Sequence, residues 1–312
     1  MFTAVAIVQL AERGRLSFDD RIATYLPHYP RAVAEIVSIH DLLTHTAGLG
    51  DFLNDKYESA RARLRTVSDY LSLFLDDPLA FAPGERWQYS NAGYVVLGAI
   101  VEAIAGQSYF DYVREHIYLP AGMDSTDAYE LDRDIPNLAM GYSHMDMNLS
   151  MMELTRVFRA DPAHAFAPGP RRNNIFMLPV RGGPSGGGYS TVEDLLRFDR
   201  VLRSHVLLNP NSTGVLLSGK VGLPGEPEGR YAYGFRDERI GGQRIVGHNG
   251  GFPGVSTQLD MYLDSGYTLA VLANYDPLVA QLIASRLREL LTQPPFAFAE
   301  GRQDQEDKPS AL

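Results

Sequence analysis

The chain has 312 residues, long enough to bury a large core, and its 45% hydrophobic and 21% charged content is that of an ordinary globular protein. A net charge of −10, with no run of Lys or Arg, argues against a nucleic-acid or anionic-membrane partner, since both call for a basic face. The absence of cysteine excludes disulfides, thiolate catalysis and cysteine-ligated zinc, and leaves the compartment open.

Met1 to Glu12 is apolar nearly all round, the pattern of a helix buried on every side, with Gly14 placed to cap it. It lacks a basic start and reads poorly as a signal peptide; an export signal would lie upstream of Met1 and make the protein periplasmic or secreted, and otherwise cytoplasmic. Ser38 to Leu43, Val67 to Leu75 and Tyr94 to Ala105 have helical spacing, with Gly106 as a stop. Glu102 breaks the longest apolar run, so no membrane span is expected. A helix from Thr191 runs to about Arg203, capped by Thr191 or Ser190.

The period then changes. Gln243 to Gly247, Thr257 to Leu263 and Tyr267 to Ala273 read as strands, with Asp264-Ser265-Gly266 as a hairpin turn. Leu278 to Leu291 returns to helical spacing until Pro294-Pro295, and the polar tail 301–312 reads as disordered. Helices first and antiparallel strands last give an α+β fold. Residues 1–300 form one unit in this reading, with 1–200 mostly helical and 230–293 carrying the strands and the last helix.

The segment from Pro83 to Tyr94 carries the chemistry. It sets a phenol, Tyr89, two residues from a carboxamide, Asn91, and in an extended stretch both point to one side while Ser90 points away. A phenol can shuttle a proton and a carboxamide can hold a substrate amide through its donor and acceptor. His248-Asn249-Gly250-Gly251 follows a strand-like run, and its glycines permit close approach of a substrate backbone.

Tyr89-Ser90-Asn91 resembles the Tyr-x-Asn motif of the serine β-lactamase and penicillin-binding-protein superfamily, which includes class C β-lactamases, DD-peptidases, D-aminopeptidases and related esterases. The resemblance continues, in order, through Leu42 to Leu49, Leu119 to Met123, Gly187 to Leu195, Tyr233-Gly234-Phe235 and Gly247 to Gly251. It implies a β-lactamase/transpeptidase-like fold, an antiparallel sheet flanked by helices beside a mostly helical lobe, with the site between them. It also implies acyl transfer to a serine, with Tyr89 as proton carrier, Asn91 holding the substrate amide, and His248, Asn249, Gly250 and Gly251 lining the opposite wall. The Gly251 N–H would be one oxyanion donor.

The family nucleophile belongs to Ser-x-x-Lys, which runs directly into a segment like Met1 to Ala6. Lys56, Lys220 and Lys308 are the lysines of this chain, and Leu53, Leu217 and Gln305 stand three residues before them, so no Ser-x-x-Lys is present. The expectation is a chain that starts just after the motif, lacking the N-terminal helix and first strands, with a sheet edge and an apolar helix face left uncovered. Without that lysine, Tyr89 is expected to stay protonated. Histidine in place of the Lys-Thr-Gly lysine is a poorer permanent anchor for a carboxylate, so amide or ester substrates of peptidase or esterase type fit best. No cofactor and no metal are implied, because serine acyl transfer needs neither. A catalytically inactive ligand-binding protein, or a truncated remnant of the same fold, is the alternative.

Other clusters read as structure. His45 fits a turn after a helix, Ser185 in Gly183 to Gly187 lacks the strand-to-helix elbow of a nucleophile, and His144, Met145, Met147, Met151 and Met152 suggest a loop or lid over the cleft.

Overall fold

The structure is a computed structural model that describes residues 1–146, 149–160 and 169–292. The Phe2–Glu12 helix is buried from Thr3 through Leu10. It ends as its sequence dictates, with Gly14 at φ 66° and Arg15 N–H returning to Leu10 O at 2.9 Å, the left-handed closure that glycine permits. The Ile39–Thr44 helix carries a full capping box between Ser38 and Asp41, and Thr66 with Asp69 does the same for Val67–Leu71. That second helix is shorter than its apolar spacing suggests; turns continue the chain to Leu75.

The Asn91–Ala105 helix begins three residues earlier than its apolar run. Ser90 is its N-cap, accepting from Gly93 N–H, and Gly106 ends it at φ 71°. The side-chain cap, rather than hydrophobic spacing, sets the start. Thr191 caps the Val192–Arg203 helix through Asp194 N–H.

Six strands form the main sheet: β1 Val221–Leu223, β2 Glu226–Tyr231, β3 Arg236–Ile240, β4 Gln243–Phe252, β5 Val255–Tyr262 and β6 Thr268–Ala273. Their spatial order follows the chain, and all pair antiparallel, a meander whose hairpins bring sequence neighbours together. Val246 and Met261 pair across β4 and β5 and join the core that runs from Ala4 through the helices. The opposite face of β5 lies under the Val279–Thr292 helix. There Arg288 makes a two-pronged pair with buried Asp260, at 2.7 and 2.8 Å, and Gln281 bonds Ser256 at 2.9 Å.

On its free side β6 has no partner strand among the described residues, and the Val279–Thr292 helix exposes Leu282 and Leu290 to 66% each. No single helix among the described residues is long and apolar enough to cross a membrane; Asn91–Ala105 with Tyr109–Ala121 passes only as a pair bent by 83°. Pro294-Pro295 and the tail 301–312 lie outside the described residues.

Candidate active site

The site forms where the start of the Asn91–Ala105 helix meets the end of β4. Within β4, strand β3 pairs only with Gln243–Gly247, so His248 to Phe252 continue past it, bonded to β5 on one side and without a strand partner on the β3 side among the described residues. An unpaired edge bordering a cleft is a surface on which an extended acyl-amide can lie. Alternation along β4 puts His248 on the face of Val246, toward the helical lobe, and sends Asn249 to the opposite face. Asn249 is exposed there, so its side chain does not join His248.

Tyr89 and His248 do converge: their ring centroids are 6.1 Å apart. Burial, then the nearby Asp51, pushes the Tyr89 hydroxyl up to about 12. It is protonated at neutral pH, as the lack of a neighbouring lysine leads one to expect.

Asn91 differs from its sequence reading. It is the first residue of a helix rather than part of an extended stretch, so strand alternation is not what directs it. Its Nδ2 donates to Asp51 Oδ2 at 2.9 Å, and its backbone N–H lies 3.5 Å from the same oxygen. One of the two amide N–H donors is therefore taken by the protein, and Oδ1 and the second N–H are left for a ligand. Ser90 points away as expected, with its hydroxyl donating to Gly50 O at 2.6 Å.

The glycines of β4 are explained first by packing. A Cβ on Gly250 would meet Thr257 Oγ1 at 2.4 Å, on the face that His248 shares, and one on Gly251 would meet Pro277 Cγ at 2.9 Å on the other. Close approach to β5 and to Pro277 requires them whatever a ligand does.

Two residues in the site were not singled out as functional by sequence. His45 caps the Ile39–Thr44 helix at φ 60°, and its ring, 2% exposed, stacks 4.2 Å from Tyr89. Tyr231 ends β2 and sits between two imidazoles, 3.0 Å from His45 Nε2 and 3.0 Å from His248 Nε2. Burial holds His45 well below the ordinary histidine value and lowers His248 to about 4. The sequence cue to His45 is a histidine where a helix closes left-handed, usually glycine's place. Tyr231 follows a Pro- and Gly-containing run that hides its strand.

Ser185 is no nucleophile elbow. Gly183 and Gly186 exchange both backbone hydrogen bonds, so Pro184-Ser185 are the two tip residues of a tight turn. Pro184 packs where a Cβ on Gly98 would be, 2.3 Å from its Cγ. Met145 and Met151 are buried core residues rather than parts of a lid, Met152 is 51% exposed, and Met147 lies outside the described residues.

This combination of fold and cleft is that of the β-lactamase and penicillin-binding-protein superfamily. The family profile described as Beta-lactamase matches residues 1–292, and the chain belongs to that family. Penicillin-binding protein 4* of Bacillus subtilis (strain 168) is 30% identical over 317 residues, covering 98% of this chain and 66% of that protein. The chain thus spans just under two thirds of that relative's length. The crystal structure of a penicillin binding protein from Bacillus halodurans matches with a TM-score of 0.78 at 32% identity, over 93% of this chain and 82% of that one. A D-stereospecific amidohydrolase from Streptomyces sp. shares the fold at 23% identity and a TM-score of 0.72, over 88% of this chain and 79% of that one.

Proposed function

We propose that this chain supplies the substrate-binding and proton-handling walls of a β-lactamase-related serine hydrolase that cleaves an amide or ester through an acyl-enzyme. The observation that carries the reading is the convergence of Tyr89 and His248, 6.1 Å apart, beside the unpaired end of β4. In this reading an acyl-amide lies along His248 to Gly251, and Asn91 Oδ1 accepts from its N–H. With a lysine ammonium beside it, Tyr89 as phenolate takes the serine's proton and passes it to the leaving group, then takes a proton from the attacking water and gives it to the serine as the acyl group departs. The nucleophile is a serine activated by lysine, and this sequence contains no Ser-x-x-Lys; bringing a lysine ammonium beside Tyr89 would lower the phenol's pKa and let it act as a base.

The test is covalent labelling. The chain joined at Met1 to a Ser-x-x-Lys segment is expected to form a stable adduct with a fluorophosphonate or a penicillin, lost in the Tyr89→Phe variant. A folded, joined protein that acylates with neither probe would sink the proposal.

A second reading, a catalytically silent ligand-binding cleft of the same family, draws support from the engagement of both ring nitrogens of His248. Binding of an acyl-amide by the 312-residue chain, with no turnover in any longer form, would favour it over hydrolysis.

A further inference from the structure

Five groups cross the site in one chain of hydrogen bonds, and their proton order is determined from both ends. Ser90 N–H lies 3.2 Å from His45 Nδ1, and a backbone amide can only donate. A neutral His45 then carries its proton on Nε2, which faces the Tyr231 hydroxyl at 3.0 Å. The Tyr231 oxygen accepts there, so its own proton is free for His248 Nε2, also at 3.0 Å. At the far end His248 Nδ1 lies 2.6 Å from Asn249 O, and a carbonyl can only accept. The two termini, set by different strands and helices, demand the same arrangement. Tyr94, which also adjoins Tyr231, spends its proton on Leu43 O at 3.0 Å, so it does not compete as a donor; its oxygen is a rival acceptor for the Tyr231 proton, and the Asn249 carbonyl at the far end is what assigns that proton to His248 Nε2.

We propose that Tyr231 is a positioning residue which, backed by His45, locks His248 as an uncharged imidazole protonated on Nδ1, so that the cleft selects acyl substrates carrying no carboxylate beside the strand. The preference rests on the reading of the cleft as an acyl-substrate site; the lock does not. In the locked ring both nitrogens are occupied, leaving neither a charge nor a spare donor for a carboxylate. Neighbouring cations do not replace it. Arg236, which acts on His248, is paired with Glu226 and Glu238. A desolvated carboxylate without a partner is costly, whereas an amide or ester at the same place is not.

The experiment is a long-range proton–nitrogen correlation on histidine-labelled protein at pH 7, beside binding of two matched ligands, N-acetylalanylalanine and its C-terminal amide. His248 is expected as the Nδ1–H tautomer and His45 as the Nε2–H tautomer, and Tyr231→Phe is expected to mix the His248 tautomers. The amide should bind about tenfold or more tightly than the acid. A charged or Nε2–H His248 in the wild-type spectrum would overturn the lock even if the variant failed to fold. Unchanged His248 signals in a folded Tyr231→Phe would overturn the role of Tyr231. Tighter binding of the acid would overturn the substrate preference. Binding of neither ligand, with tautomers as stated, would sink the acyl-site reading and the preference with it, and leave the lock standing.

Discussion

Asn91 Nδ2 and Asp51 Oδ2 lie 2.9 Å apart, and this contact orients the amide at the head of the Asn91–Ala105 helix. Asp51 also sits where the first N–H groups of that helix emerge, a favourable place for negative charge. Burial raises its carboxyl above the ordinary value, while the bonds from Asn91 and the Phe52 and Leu53 backbone pull the other way.

Asp51→Ala removes the acceptor and leaves the Asn91 donor and a helix N–H to find water. We expect a loss of about 1–3 kcal/mol in unfolding free energy, read from the urea midpoint. A midpoint within ~0.5 kcal/mol of wild type would show that the contact is a surface ion–dipole pair of the usual small worth.

Ser90 is 4% exposed and both caps the helix and donates to Gly50 O. Ser90→Ala is expected to cost about 1–2 kcal/mol, and Ser90→Thr less, because the threonine keeps the cap. Equal losses in the two variants would mean that packing at this site, and not the hydroxyl, is what stabilises the helix start.

The difference between Ser90 and Asn91 shows what sequence reasoning could reach. The order of motifs pointed to the fold class and singled out Tyr89 and His248, whose rings lie 6.1 Å apart, and period-2 and period-3.6 patterns placed the last three strands and most long helices. Strands β1 to β3 were missed because Pro227 and Gly229 interrupt β2, and because Arg236 to Arg239 are all charged. Those charges are carried by cross-strand pairs such as Arg244–Asp237, at 2.8 Å, which no single-strand pattern reveals. The same gap hid Tyr231. His45 was visible but looked structural, and its bond to Tyr231 spans 186 residues of sequence, a separation that only the tertiary fold closes.

Acid should destabilise the protein through two imidazoles, buried His45 and half-buried His248. The folded-state value of His248, about 4, lies below the ordinary 6.5, so on acidification the unfolded chain takes up the proton first. Its stabilising contribution is complete above pH 6.5 and is lost as pH falls through 4, and His45 acts in the same direction. We expect stability to fall by roughly 1–3 kcal/mol across that window from His248, and a His248→Gln variant to show a shallower fall. Parallel curves for the two proteins between pH 6.5 and 4 would refute the assignment.

The surface beside β6 carries a different risk. Leu282, Ile283, Leu287 and Leu290 are 66%, 45%, 36% and 66% exposed on the Val279–Thr292 helix, next to a strand whose outer edge has no partner strand among the described residues. Ile283, Leu287 and Leu290 follow one another at four and three residues along the helix, so they form one stripe, with Leu282 beside it, rather than scattered contacts. A contiguous apolar patch beside an open edge binds hydrophobic dyes and favours association of chains. The native protein should therefore enhance anilinonaphthalene sulfonate fluorescence and sediment faster as concentration rises. Replacing both Leu282 and Leu290 with Lys should reduce each effect and leave the urea midpoint within ~0.5 kcal/mol, because neither side chain is buried in the wild type. If dye binding stays unchanged in the double variant, the dye reports the cleft around Tyr89 and His248 instead, and the stripe is covered in solution.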